Sequence, residues 1–168
     1  MFVQYTQEEI NELITAGSKN KKNAPISQEE KLFHSIKHVR LFDEMEMADI
    51  LTIIDEVKIN KYSVGDKLEL GNDSKDRIFY VISGAIMMPL QDADSHVELA
   101  EGQIFGEAAA FTKTITHKIL EVTGDNTIIF SFQINKAGMN QNNATAFVTF
   151  YERLMSYVAS KLLWFELA

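Results

Sequence analysis

The residues best suited to chemistry lie in one short segment, Gly102-Gln103-Ile104-Phe105-Gly106-Glu107-Ala108-Ala109-Ala110-Phe111. A glycine turn leads from an apolar pair into an alanine-rich stretch with high helix propensity. A helix that begins here leaves the backbone N–H groups of residues 107–109 without intrahelical acceptors, and these donors favour an anion such as a phosphate. The Glu107 carboxylate can accept a hydrogen bond from a sugar hydroxyl. Taken alone, the segment also fits an ordinary turn-to-helix junction.

The elements around this segment alternate between apolar and polar residues, which is typical of half-buried strands. The alternating apolar residues are Leu68 and Leu70; Ile86, Met88 and Leu90; Val97 and Leu99; and Ile128, Phe130 and Phe132. Residues 78–82 form a continuous apolar run, which predicts a strand buried on both faces. Closely spaced turn signals separate these runs, so we expect a small β-roll over about residues 58–133.

Helical spacing predicts helices on both sides of the roll. Thr6 and Ser27 each open a capping box, and residues 18–25 between the two helices read as a basic linker. A third helix is expected over Glu46–Val57. We therefore divide the chain into an N-terminal helix with its linker (1–25) and a domain (26–168).

A long final helix is expected over about residues 143–167, with Asn143 as its N-cap. Its apolar residues form two stripes, Phe147, Tyr151, Leu154, Val158 and Leu162 on one side, and Val148, Met155 and Leu163 on the other. A surface helix needs only one apolar stripe, which here can pack on the roll. The second stripe predicts a homodimer through this helix. The alternative is that both stripes are buried within one monomer.

The order of several motifs resembles the cyclic nucleotide-binding domain of the catabolite-activator and protein-kinase-regulatory-subunit family. The motifs are Leu41-Phe42 with Met45, Val64-Gly65-Asp66, Gly71 ahead of Asp73, the run from Ile78 to Gly84, Gly102, and Phe105-Gly106-Glu107-Ala108-Ala109. The resemblance covers about residues 40–165. It implies a mainly-β sensor domain: an eight-stranded antiparallel β-roll, of double-stranded β-helix or jelly-roll type, with N-terminal helices and a long C-terminal helix.

The same resemblance implies a ligand site and a departure from the family pattern. The expected ligand-binding residues are Phe105, Gly106, Glu107, Ala108, Ala109, Thr116, His117 and Lys118. Glu107 would bind the ribose 2′-hydroxyl of cyclic AMP or cyclic GMP, and no other cofactor is required. The family's phosphate-binding arginine falls at Thr116 or His117, so His117 or Lys118 would have to replace it. Losing a charge-assisted hydrogen bond of about 1.5–3 kcal/mol costs roughly ten- to a hundred-fold in affinity.

Three functions remain open from the sequence. The first is a stand-alone sensor that binds a small anionic ligand and signals through its C-terminal helix. The second is a degenerate roll without a ligand, which acts in dimerisation or protein interaction. The third is a cupin-like metalloenzyme, which needs clustered histidines. The four histidines at positions 34, 38, 96 and 117 are scattered, and we expect no metal site.

Composition narrows these choices. The 168 residues carry a formal net charge of −8, which opposes non-specific binding to nucleic acid, and residues 133–168 hold no basic recognition helix. Direct DNA binding is therefore not expected, and the output would need an unknown protein partner. The chain has no cysteine, no signal-peptide pattern and no run long enough to span a membrane. We therefore expect a cytoplasmic protein. The sequence also has no activated-nucleophile motif and no P-loop, so we do not expect an enzyme.

Overall fold

The structure is a computed structural model that describes residues 3–4, 35–37, 39–90, 95–112 and 118–167. The two predicted capping boxes, the basic linker, and both Thr116 and His117 lie outside the described residues. Residues 35–37 are helical, and Ile36 within them is buried, as the predicted second helix requires.

Besides the helical residues 35–37, the described residues form nine strands and three α-helices. The strands are β1 (Val3–Gln4), β2 (Ile54–Tyr62), β3 (Lys67–Leu70), β4 (Arg77–Ser83), β5 (Ala85–Pro89), β6 (His96–Ala100), β7 (Ile104–Phe105), β8 (Lys118–Val122) and β9 (Thr127–Ile134). The helices are α1 (Met47–Ile53), α2 (Glu107–Thr112) and α3 (Ala144–Leu167). Short 3-10 turns cover Arg40–Phe42, Asn72–Ser74 and Lys136–Gly138.

The strands pair into two antiparallel sheets. The first has the order β1-β2-β9-β4-β7 and the second has the order β3-β8-β5-β6. The buried apolar residues of the described ranges form two clusters, one under the helices and one inside the roll. The mainly antiparallel roll with a long C-terminal helix confirms the predicted fold class, and β2 to β9 are the eight strands that the resemblance implies.

The first boundary of the roll differs from the prediction. α1 ends at Ile53 rather than at Val57, and β2 begins at Ile54, not at residue 58. The backbone bulges between Asp55 and Lys58, and Glu56 there has a φ of 45°. The bulge adds a residue to the strand, so Ile54 and Val57 both face the core at a spacing of three. Apolar residues three positions apart are also typical of a helix, so the pattern extended the predicted helix to Val57.

A buried arginine supports this bulge. Arg77 on β4 donates to the Glu56 carbonyl and pairs with the Glu56 carboxylate, both at 2.7 Å. Burial lowers the pKa of the Arg77 guanidinium, and the Glu56 carboxylate opposes that shift. Arg77 directly precedes the apolar run of residues 78–82 that predicts a buried strand, but its own burial was not predicted. Its role is structural, because its hydrogen bonds go to the strands.

α3 packs on the roll through a buried aromatic face. Phe150 is fully buried, and its ring centroid lies 5.9 Å from that of Phe42 and 6.3 Å from that of Phe132. Phe147 and Leu154 are also buried, as the first predicted stripe requires. Phe150 belongs to this face although the sequence pattern had not included it.

Two details of α3 depart from the prediction. Leu162 is 58% exposed, so it does not share the buried environment of the first stripe. Asn143 precedes the helix, but its side-chain oxygen accepts from the N–H of Asn140, upstream, and not from the helix. Three more residues outside the buried face, Val148, Met155 and Leu163, are exposed by 55–62%. Within the described chain the second stripe therefore remains uncovered.

Candidate functional site

The glycine turn leads into a helix where the sequence predicts one. β7 ends at Phe105, and α2 begins at Glu107. Gly106 joins them with a φ of 81°, a conformation that L side chains rarely adopt. A Cβ at this position would lie 2.8 Å from the Phe79 ring and 2.9 Å from the Arg77 carbonyl oxygen, so both backbone conformation and space require glycine.

A cavity of about 500 Å³ lies between this turn, the roll and α3. Its volume falls in the range of about 300–1,000 Å³ that is typical of small-molecule sites. The roll contributes Leu70, Gly71, Ser74, Lys75, Phe79, Met88, Leu90, Phe105 and Lys118; the turn and α2 contribute Gly106, Glu107, Ala108, Ala109 and Phe111; α3 contributes Met155, Val158, Lys161 and Leu162. The cavity therefore touches all three parts of the domain.

One carboxylate and one ammonium group form an ion pair in the cavity wall. Lys161 Nζ on α3 lies 2.8 Å from Glu107 Oε1 on α2. The two side chains are 20% and 10% exposed, respectively, so solvent screens this pair less than a surface pair. The other carboxylate oxygen, Glu107 Oε2, is covered and has no hydrogen-bond partner in the described chain. Glu107 is thus held by the terminal helix.

Two further hydrogen bonds join α3 to the strand before the turn. The Ile104 N–H donates to the Tyr157 hydroxyl at 2.7 Å, and Lys161 Nζ donates to the Ile104 carbonyl at 3.1 Å. We refer to these contacts of Tyr157 and Lys161 with Ile104 and Glu107 as the helix latch. Burial raises the pKa of the Tyr157 phenol, and the Ile104 N–H opposes that shift. The latch fixes the glycine turn at Gly106 and the terminal helix to each other.

Two other lysines complete the polar part of the lining. Lys118, the first residue of β8, donates from Nζ to the Pro89 carbonyl at 3.0 Å. A lysine ammonium carries three donors, so this contact occupies one of them. Lys75, which follows β3 in the chain, also lines the cavity and is exposed. The cavity therefore has two cationic groups besides the paired Lys161.

The predicted site residues mostly come together. Phe105, Gly106, Glu107, Ala108, Ala109 and Lys118 all line the cavity, whereas Thr116 and His117 lie outside the described residues. Their contact with a ligand stays a prediction. Sequence analysis missed Lys75, Tyr157 and Lys161. A signal for Lys161 exists in the sequence, since a lysine stands between the apolar residues Val158 and Leu162 of the terminal helix.

The described ranges meet the requirements of neither a metal site nor a membrane-spanning helix. Among them no group of three or more histidine, aspartate or glutamate side chains is placed to hold a metal ion. His96 opens β6 and is exposed, and the other three histidines are not described. None of the described helices has the length and apolar character needed to cross a membrane.

Solved structures with the same fold are regulatory and sensor domains. The catabolite activator protein of Thermus thermophilus matches with a TM-score of 0.53 and 14% identity over 76% of this chain and 60% of that one. The sensor domain of the Pseudomonas aeruginosa transcriptional regulator DNR gives 0.53 and 17% over 77% and 91%. The Toxoplasma gondii regulatory domain of PKA, solved with cAMP, gives 0.51 and 16% over 76% and 48%.

These similarities show that the chain has the fold of cyclic nucleotide-binding domains, which confirms the fold that the resemblance in the sequence implies. The chain spans 60% of the Thermus protein and 48% of the Toxoplasma one. No protein-family model matches the sequence, and no curated protein matches it.

Proposed function

We propose that this domain is a sensor that binds a small ligand in the cavity beside Glu107 and signals through the position of α3. The observation that carries the proposal is the helix latch, because it joins the wall of a ligand-sized cavity directly to the long terminal helix. The output passes to a partner protein. The domain itself has no catalytic role and acts in the cytoplasm.

A ligand in this cavity changes the free energy of the helix position. Such a ligand contacts α2 at Glu107 and α3 at Val158, so it binds with different affinity when the two helices separate. A hydroxyl can reach the covered Glu107 Oε2 only if the atoms that cover this oxygen move. By linkage, any factor that holds α3 in place changes the ligand affinity to the same degree.

Isothermal titration of the full chain with cyclic AMP, cyclic GMP and other nucleotide and non-nucleotide anions tests ligand binding. Trp164, the only tryptophan, lies in α3 and gives a fluorescence signal from the helix during the same titration. We expect saturable heat with at least one ligand, together with a change in Trp164 emission. Glu107→Gln should weaken the binding about ten-fold or more, because it breaks the ion pair with Lys161 that holds this wall of the cavity to α3.

Glu121→Gln is the matched control, because Glu121 is an exposed glutamate on β8 outside the cavity. It should leave the titration unchanged. Absence of binding across the panel would reject the sensor and favour the second candidate. Equal losses in both variants would show that the ligand binds elsewhere.

The second candidate is a dimerisation or protein-interaction module without a ligand. It is supported by Val148, Met155 and Leu162, which are 55–62% exposed and recur every seven residues on one face of α3. Such a seam fits a second copy of the same helix, packed as a coiled coil. Met155 and Leu162 also line the cavity, so we propose that the homodimer and the sensor are one mechanism, in which the partner helix lies at the cavity mouth.

Sedimentation equilibrium tests the homodimer. Met155→Glu places a charge in the seam and should shift the chain to monomer, whereas Ser156→Glu, at an exposed neighbouring position, should not. A specific interface of ordinary size should hold the dimer together at a chain concentration of about 100 µM. A wild-type chain that remains monomeric at this concentration would reject the homodimer through the seam.

A further inference from the structure

The cavity wall is more apolar than a site for a highly polar nucleotide requires. Phe79 and Phe105 line it as a stacked pair with ring centroids 4.8 Å apart, and both residues are buried in the core of the roll. Half-buried and exposed apolar side chains surround them, namely Leu70, Met88, Leu90, Phe111, Met155, Val158 and Leu162. Apolar surface of this extent is covered best by an apolar body, since burial is favourable in proportion to the apolar area removed from water.

The charges in the lining favour an anion. The cavity lining contains one carboxylate, Glu107, and three lysines, Lys75, Lys118 and Lys161. The lining therefore carries two more positive charges than negative charges. The whole chain has a net charge of −8, so this surplus is a local feature and not a property of the surface as a whole. The latch neutralises Glu107, which therefore does not repel an anion.

The latch also bears on the recognition of a ribose. Glu107 Oε1 is bound to Lys161 and Oε2 is covered, so neither carboxylate oxygen is presented to a sugar hydroxyl while the latch is closed. The two lysines not in the pair, Lys75 and Lys118, line the same cavity and supply point charges that attract an anionic group. A ligand with one charged group and an apolar remainder matches the cavity without opening the latch.

We propose that the ligand of this cavity is an apolar monoanion, an aliphatic or aromatic carboxylate whose head lies at Lys118, with Lys75 in the same lining, and whose body lies against the half-buried Met88, Leu90 and Val158. The inference rests on the proposed ligand-sensor function and specifies its ligand class. Binding requires no covalent step. The carboxylate contacts roll residues, and the apolar body contacts Val158 on α3, so occupancy still acts on the terminal helix.

Titration of the full chain with decanoate, 1-naphthoate, their neutral counterparts decan-1-ol and 1-naphthalenemethanol, and cyclic AMP tests this ligand class. We expect at least one carboxylate to bind at least about ten-fold more tightly than its neutral counterpart, the contribution of a charge-assisted hydrogen bond. Lys118→Met should reduce that preference by about ten-fold, and Lys118→Arg should restore most of it.

Lys67→Met, at an exposed lysine of β3 outside the cavity, is the matched control and should have no effect. Lys75→Met provides a second test at an exposed position if Lys118→Met does not fold. Tight binding of cyclic AMP with no binding of either carboxylate would overturn this inference and leave the sensor function intact. Equal affinity for acids and alcohols would also overturn it. Absence of binding by every compound would reject both proposals.

Discussion

At the scale of single residues, Gly106 sets the geometry of the site. Its φ of 81° and the 2.9 Å approach of a Cβ to the Arg77 carbonyl oxygen leave no room for a side chain. We expect Gly106→Ala to lower the free energy of unfolding by roughly 2–4 kcal/mol, from the left-handed conformation and from overpacking together. Urea unfolding followed by circular dichroism measures this loss.

Gly65→Ala separates these two causes. Gly65 has a φ of 86°, but nothing lies within 4 Å of its Cβ position. This variant should lose only the conformational part, about 1–2 kcal/mol. If both variants lower the free energy of unfolding by the same amount, the turn does not pack closely against Phe79 and Arg77 as described.

Tyr157 gives the latch a pH dependence. Burial raises the pKa of its phenol above the unfolded value of about 10, so above that pH the unfolded chain loses its proton first and stability falls as pH rises. At neutral pH, Tyr157→Phe should cost about 1–3 kcal/mol, because the Ile104 N–H loses its acceptor. The difference between wild type and variant should shrink as the pH rises past about 10, the unfolded value, measured by urea unfolding at a series of pH values. A difference that stays constant as the pH rises past about 10 would contradict the buried phenol.

Only some residues of the site could be predicted from the sequence. Glu107 was predicted because the turn and the alanines beside it form a local pattern. Lys161 was not, because its partner lies 54 residues away in the chain and no local period records such a contact. Cavity residues such as Met88 were predicted as strand residues, but only the packing of the sheets places them beside α2.

At the scale of elements, local periods predicted most strands and failed where the backbone is irregular. The alternation of Leu68 with Leu70 and of Ile86 with Met88 became β3 and β5. The end of α1 was placed four residues too late because the bulge in β2 keeps a helix-like spacing through Val57. β7 has only two residues, too few for any period to reveal.

The attachment of α3 to the roll gives a prediction at this scale. Phe150 is fully buried between Phe42 and Phe132, so Phe150→Ala leaves a cavity and should lower the free energy of unfolding by about 3–5 kcal/mol. Ile119→Ala, at a residue of β8 that is 56% exposed, should cost less than about 1 kcal/mol. Chemical denaturation measures both variants. Similar losses in the two would mean that α3 does not pack on the core as described.

At the scale of the whole molecule, the order of motifs predicted the fold better than any single element did. Glycine turns and apolar runs occur in an order that few folds share, and this order survives errors of a few residues at each boundary. The ligand class could not be predicted in this way. The ligand class depends on which charged and which apolar side chains line the cavity. These side chains come together only when elements such as β5, β8, α2 and α3 pack against each other.

The central claim is that the cavity and the terminal helix are energetically coupled through Lys161. Hydrogen–deuterium exchange of α3, measured with and without the tightest-binding compound of the panels above, tests it most directly. We predict that saturation changes the exchange of residues 157–163 in the wild type and that Lys161→Met abolishes most of this change. Saturable binding that leaves the exchange of α3 unaltered in the wild type would contradict the claim.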